Sequence, residues 1–181
     1  ITVGQQKKLL ENLHQCAIKA NEAIGVKKLT LKDFPDNKFD SVPLLDIIYS
    51  IEEVADAFKP NIIYTHHHAD VNIDHKKTAE AIQAVTRPMR GSSIEKVLAF
   101  EVASSTEWNF NQNPRFLPNV FINISDFFDK KIKAMQCYKG ELRQFPHPRS
   151  LEYLEALAKI RGGQIGTPAA EAFELVYLRE E

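Results

Sequence analysis

The residues of this chain best suited to chemistry lie in one stretch, Thr65-His66-His67-His68-Ala69-Asp70-Val71-Asn72-Ile73-Asp74-His75. Four of the six histidines fall there, with two aspartates and an asparagine among them. Imidazole is a common ligand for zinc and other first-row metals, and a catalytic zinc takes three protein ligands and leaves one position for water. His75 is expected near the start of a helix, where a stiff element would hold its ring. Asp74 beside it suits orientation of a ring or of a bound water. Asp70 and Asn72 suit hydrogen bonding to a hydroxyl-rich substrate. Alternation along a strand turns successive side chains to opposite sides, so His66, His67 and His68 cannot all serve one metal without a bend. Adjacent histidines on a loop also occur without function, so spacing alone leaves both readings open.

The elements that position this loop follow from pattern. Asn61-Ile62-Ile63-Tyr64 reads as a strand entering it, and Lys76 to Thr86 as the helix leaving it, stopped at Arg87-Pro88. Upstream, Val3 to Ile24 carries Leu9, Leu10, Leu13, Ala17, Ala20 and Ile24 at helical spacing, closed by Gly25. Lys28 to Leu31 alternates like a short strand, and Phe34-Pro35-Asp36-Asn37 is a turn with Asp40 just beyond it. Val42 to Phe58 reads as a second helix before Pro60. Downstream, strands are expected at Val97 to Val102, Val120 to Ile124 and Ala172 to Leu178, and helices from Asp126 to about Tyr138 and from Leu151 to Ile160, the latter capped by Ser150. Alternating strands and helices predict an α/β fold with a mostly parallel sheet and helices on its faces. Without repeats, low-complexity tracts or linkers, residues 1–181 read as a single domain.

Bulk properties narrow the classes. A chain of 181 residues with 26% charged side chains and a net charge of -1 is ordinary globular material and gives no electrostatic reason to expect nucleic acid or an anionic membrane as partner. No apolar run approaches the roughly 20 residues that a spanning helix needs. Cys16 and Cys137 form neither a metal clip nor a disulfide framework, so a reducing, cytoplasmic setting is the expectation.

The wording of the histidine loop carries a resemblance. Tyr64-Thr65-His66-His67, Asp70 and Asn72-Ile73-Asp74-His75 closely resemble the second motif of the LmbE-like (PIG-L) N-deacetylase family. Matching segments run in order along nearly the whole chain: Phe34-Pro35-Asp36-Asn37 with Asp40, Phe100-Glu101-Val102, Ser104-Ser105-Thr106-Glu107-Trp108, Phe116-Leu117-Pro118-Asn119, Pro146-His147-Pro148-Arg149-Ser150 and Ala170-Glu171-Ala172-Phe173. The resemblance is to a bacterial subgroup. It implies a Rossmann-like three-layer sandwich and a zinc-dependent hydrolase that removes acetyl groups from N-acetylated amino sugars or their conjugates. It also implies a homo-oligomer.

In that family zinc is held by a histidine and an aspartate of an amino-terminal His-Pro-Asp-Asp motif and by one histidine of the second motif, here His75. The other aspartate of the first motif is the general base. No His-Pro-Asp-Asp occurs in these residues. The first strand and its catalytic loop are expected upstream of Ile1, and the alternative is a degenerate relative. Many members place an oxyanion-stabilising histidine three positions before the zinc histidine, where this chain has Asn72. Asn72 could itself donate a hydrogen bond to the oxyanion but cannot shuttle a proton, and His147, held between two prolines, is the other candidate donor. Asp74 is expected to support a neighbouring ring or asparagine. Asp36, Asn37, Asp40 and Asp70 are candidate partners of sugar hydroxyls, and Arg149 of a phosphate or carboxylate. Each has a plainer role open to it, as a turn residue or, for Arg149, an internal salt bridge.

Two rival readings stand beside the deacetylase. One is a catalytically inactive sugar-binding relative of the same fold. The other is a metallophosphoesterase, which needs two metals about 4 Å apart and more converging ligands than this chain offers.

Overall fold

The computed structural model describes residues 3–88, 92–110 and 114–180, with side chains from residue 8 onward. Ile1 and Thr2, the opening on which the expectation of an upstream segment turns, lie outside them. The chain divides into two compact units, each built from two separated stretches: residues 1–31 with 123–170, and residues 32–122 with 171–181.

In the first unit, helix α1 covers Val3–Ile24, as its apolar spacing predicts, and packs against α4, Phe128–Gln136. Gly25 takes φ 84 directly after α1, the left-handed conformation that commonly closes a helix. Helix α5, Leu151–Gly163, is capped by Ser150, whose Oγ accepts the amide of Tyr153 at 3.1 Å. That hydroxyl satisfies one of the amides a helix start leaves without a partner.

The second unit holds the histidine loop. Helix α2, Leu44–Phe58, ends on Lys59 in the left-handed region, and Pro60 prevents its continuation. Strand β1, Ile62–His66, follows, and helix α3, Ile73–Val85, packs on α2 and β1. Strand β2, Lys96–Phe100, lies parallel to β1, with Ile62 opposite Lys96 and His66 opposite Phe100. Ile82, Ile94 and Val97 form the buried core, joined by Ile51, Ile63 and Tyr177. Each such side chain contributes on the order of 1.5–3 kcal/mol when fully buried.

Strands β3, Val120–Asn123, and β4, Ala170–Leu178, complete a sheet of order β1-β2-β4-β3. Here the structure corrects the expectation of a mostly parallel sheet. β4 runs antiparallel to β2, with Lys96 opposite Leu178 and Phe100 opposite Phe173. Asn119 donates its amide to Phe173 O and Ile124 to Ala169 O, the descending numbering of an antiparallel pair. The β1–β2 pair is the parallel one, so the fold is mixed α/β. Strand sequence encodes burial but not direction, and direction is set by where the connections return the chain. Lys28 to Leu31, expected as a strand, is irregular and exposed: alternation without a neighbouring ladder does not make a strand.

Candidate active site

Two loops meet at the carboxyl ends of the parallel strands β1 and β2. In open α/β sheets this is where ligands bind. The first loop, residues 67–72, links β1 to α3. Asn72 caps α3, its Oδ1 accepting the amides of Asp74 at 2.8 Å and His75 at 3.4 Å. The helix therefore begins at Ile73, three residues earlier than its spacing suggests, and His75 sits in its first turn. The second loop follows β2. Ser104 there adopts φ 72, and Glu107 closes the turn by accepting the amides of Ser104 and Ser105 at 2.6 and 3.0 Å.

Asp70 joins the two. Its side chain is 0% exposed. Oδ1 accepts the Asn72 amide at 2.9 Å and the Ser105 hydroxyl, and Oδ2 accepts the Thr106 hydroxyl at 2.8 Å. Nδ1 of His75 lies 3.2 Å from Oδ1. Burial alone would raise the Asp70 pKa, but the bonds from His75, Ser105, Asn72 and Thr106 outweigh it and hold the carboxyl at about 2. Asp70 is thus anionic at neutral pH. In the neutral ring, an anion at Nδ1 favours the tautomer with the proton there, which makes Nε2 the nitrogen that can offer a lone pair. The His75 side chain is 20% exposed, so the ring is neither sealed in the core nor loose on the surface.

His66 closes β1, and His67 and His68 follow in the loop with their ring centroids 4.5 Å apart. The ring of His66 stacks on His75, centroids 4.1 Å apart and planes 13° apart, and touches Phe100 at 4.9 Å. Burial, followed by the neighbouring His75, lowers its pKa to about 4, against the opposing pull of Asp70 and Asp74. His67, 1% exposed, turns the other way. Its Nδ1 accepts the Ala69 amide at 3.3 Å, its Nε2 lies 3.4 Å from Glu174 Oε2, and Phe116 meets it edge-on at 5.5 Å. Burial lowers the His67 pKa more than Glu174 raises it.

The remaining candidates are placed as follows. Asp74 does not face a ring: its carboxylate accepts the backbone amides of Asn37 at 2.7 Å and Phe39 at 3.0 Å, tying the 36–39 turn to the start of α3. Nδ2 of Asn72 donates to Asn37 Oδ1 at 3.1 Å, strengthening the same link. Asp36 and Asp40 are exposed, Asp36 accepting from Asn37 Nδ2 at 3.3 Å. Asn37 takes φ 53, which asparagine tolerates better than most residues. His147 and Arg149 belong to the other unit. There the Arg149 amide donates to His147 Nδ1 at 3.0 Å, and the Arg149 guanidinium pairs with Glu141 at 2.5 Å. The sequence offers His66 as one of three adjacent histidines and Ser105 as a sugar-binding or turn residue, but it does not show that Ser105 and Thr106 bond Asp70 or that His66 stacks on His75. Only the buried-strand pattern before Ser105 hints at the former.

A zinc centre of the family's kind fits these residues in part. His75 offers a positioned Nε2 lone pair with an anion behind it. His66 is no second ligand to the same ion, because stacked parallel rings aim their nitrogen lone pairs side by side rather than at one point. Among the described residues no group of three or more histidine, cysteine, aspartate or glutamate side chains is arranged to hold a metal. One ligand does not hold a catalytic zinc.

Residues 4–86 match the PIG-L family, described as GlcNAc-PI de-N-acetylase. The match includes nearly all of α1, β1 and the whole histidine loop. No curated protein sequence matches the chain. Among solved structures, the chain is similar to the conserved protein TT1542 from Thermus thermophilus, with a TM-score of 0.72 at 18% identity over 94% of this chain and 76% of that one. It is similar to the N,N'-diacetylchitobiose deacetylase of Pyrococcus horikoshii, with a TM-score of 0.73 at 14% identity over 94% of this chain and 65% of that one. It is also similar to GalB, the 4-carboxy-2-hydroxymuconate hydratase of Pseudomonas putida, with a TM-score of 0.64 at 22% identity over 97% and 75%. At these identities the likeness is one of fold, and the fold carries more than one chemistry.

Proposed function

We propose that the protein is a PIG-L-type, zinc-dependent N-deacetylase acting on an N-acetylated amino sugar or its conjugate, with His75 as the zinc ligand that this chain's described residues supply. The observation that carries the reading is the Asp70–His75 pair: a buried anion at Nδ1 and an available Nε2, set at the carboxyl ends of two parallel strands. Carboxylate–histidine pairs of this kind recur behind metal-ligating histidines. The family match over this loop and the deacetylase among the structural neighbours support the same direction.

Bound zinc would supply an acidified water and polarise the acetyl carbonyl. The chain's own residues do the rest of what can be derived. Asp70 fixes the His75 tautomer, and Ser105 and Thr106 saturate the remaining Asp70 lone pairs so that the carboxylate does not turn away. Asn72 fixes where α3 begins and hence where His75 stands. His147, whose Nδ1 accepts the Arg149 amide, is the candidate donor to the amide oxygen. In this reading the other zinc ligands and the general base come from outside the described residues, and the substrate's hydroxyls meet Asp36, Asn37 and Asp40.

A catalytically inactive sugar-binding relative is favoured by one observation, the incomplete ligand set among the described residues. Metal analysis of the intact protein, followed by amine release from N-acetylglucosamine conjugates, separates the two. The deacetylase reading expects about one zinc per chain, lost in His75→Ala together with amine release. Sugar binding without zinc or amine release would leave the inactive relative standing.

A further inference from the structure

We propose that His66 is a positioning residue: clamped between Phe100 and His75, its ring fixes the plane of the His75 imidazole and so aims Nε2. The purpose given to that aim rests on reading His75 as a ligand, but the geometry does not.

A single hydrogen bond does not immobilise an imidazole. The contact from His75 Nδ1 to Asp70, 3.2 Å long, sets the tautomer and pins one corner of the ring. Rotation about the Cβ–Cγ bond is soft for such a ring, since its torsional wells are broad. A flat neighbour against one face removes that freedom. His66 is that neighbour, 4.1 Å away and within 13° of parallel. It is itself backed by Phe100, which sits directly opposite it in the parallel ladder and touches it at 4.9 Å. Both ends of the stack are therefore held by regular structure, His66 and Phe100 by adjacent strands and His75 by the first turn of α3. A ligand must be held within about 0.5 Å and 10–20° to be useful, which is the order of control that such a clamp provides.

The His66 Nδ1 is buried and has no hydrogen-bond partner among the described residues. What the position uses is a flat aromatic face of limited size. Phenylalanine supplies that face without the unpaired nitrogen. Leucine supplies similar bulk without flatness, and alanine supplies neither.

The test reads the His75 ring in the metal-free intact protein labelled with 15N-histidine, by long-range proton–nitrogen correlation at about pH 8. Wild type and His66→Phe are expected to show a single, sharp His75 pattern with Nδ1 protonated. His66→Ala is expected to show that pattern broadened or split between tautomers, with His66→Leu between the two. Circular dichroism confirms that each variant is folded. An unaltered His75 pattern in folded His66→Ala would overturn the proposal, as would a defect in His66→Phe equal to that in His66→Ala. Neither readout needs metal or substrate. Absence of amine release from the wild-type protein would sink the deacetylase reading while leaving the result on the ring intact.

Discussion

The carboxylate of Asp70, fully buried, lies 3.2 Å from the Nδ1 of His75 and receives hydroxyl protons from Ser105 and Thr106 and the amide of Asn72. Four donors from two loops therefore converge on one anion. Asp70→Asn keeps the shape but removes the charge and one acceptor oxygen. At least one of those donors is then left facing an amide hydrogen in a buried site. The expected cost is about 1–3 kcal/mol of folding stability. If His75 ligates zinc as proposed, zinc affinity should fall by roughly 10- to 100-fold, the usual consequence of losing an orienting partner behind a ligand. Urea unfolding and competition with a chelator measure the two effects. Retention of both would mean that the carboxylate neither organises the loops nor orients the ring.

The position of that anion shows how much of the candidate site is legible in the sequence. The composition of the ten residues ending at His75 points to a site, and the family resemblance points to His75 as its ligand. Sequence adjacency favours Asp74 for orienting a ring or a bound water, or for supporting a neighbouring asparagine. Helix geometry decides otherwise: Asp74 in the first turn of α3 points to the 36–39 turn, while Asp70, before the cap, folds back beneath His75. Ser105 and Thr106 reach Asp70 only because β2 lies parallel to β1 in a register that brings their carboxyl ends together. Strand pairing is a long-range fact that local pattern does not contain. The same holds for β4, whose sequence marks it as a strand but whose direction depends on how the chain returns from α5.

Asn72 is an N-cap whose amide is already committed at both ends. Asn72→Ala should cost about 1 kcal/mol, the typical loss for such a cap. Asn72→Asp retains the acceptor for the Asp74 and His75 amides, gains a favourable charge at the helix start and loses the bond to Asn37. It should recover most of the cap's contribution. Comparing the two by thermal unfolding isolates the cap from the link to Asn37. Equal losses in both variants would show that the Asn37 bond, and not the cap, carries the stability.

If His147 donates to the amide oxygen of the substrate, His147→Ala should lower turnover by at least tenfold, since removing one such donor costs about 10²–10³ in rate. The Michaelis constant should change less. An unchanged turnover number removes His147 from the mechanism and leaves it as a loop residue whose Nδ1 closes the turn on the Arg149 amide.

Two adjacent glycines in α5 should respond to alanine in opposite senses. A Cβ on Gly162 would lie 2.5 Å from Thr167 O, 2.8 Å from Ala169 N and 2.9 Å from Ala169 Cα, all backbone atoms that cannot swing aside. Overpacking of that kind costs about 1–3 kcal/mol. A Cβ on Gly163 meets nothing within 4 Å. There alanine gains up to about 0.5–1 kcal/mol by lowering the entropy of the unfolded chain. Denaturant midpoints of the two variants check the pair, and a Gly162→Ala protein as stable as wild type would contradict the close approach.

The pH dependence of stability in the metal-free protein follows from the buried rings. The folded protein keeps His66 neutral until about pH 4, whereas the unfolded chain protonates it near 6.5. Between those values the unfolded state binds the extra proton, so stability rises with pH. This contribution is complete above pH 6.5 and is lost as pH falls from 6.5 to about 4. A shift of this size is worth about 3 kcal/mol at most. His67, also lowered by burial, adds to the same slope. Asp70 acts further down. Its folded pKa of about 2 lies below the ordinary 3.8, so its contribution of about 2 kcal/mol is intact above 3.8 and is lost between 3.8 and about 2. Acid should therefore destabilise the protein in two steps. His66→Phe should shrink the first step and leave the second in place, while Asp70→Asn should remove the second. Urea titrations at about pH 7.5, 5 and 3 resolve the steps. A His66→Phe protein that loses as much stability as wild type between about pH 7.5 and 5 would assign the first step to another group, with His67 the next to test.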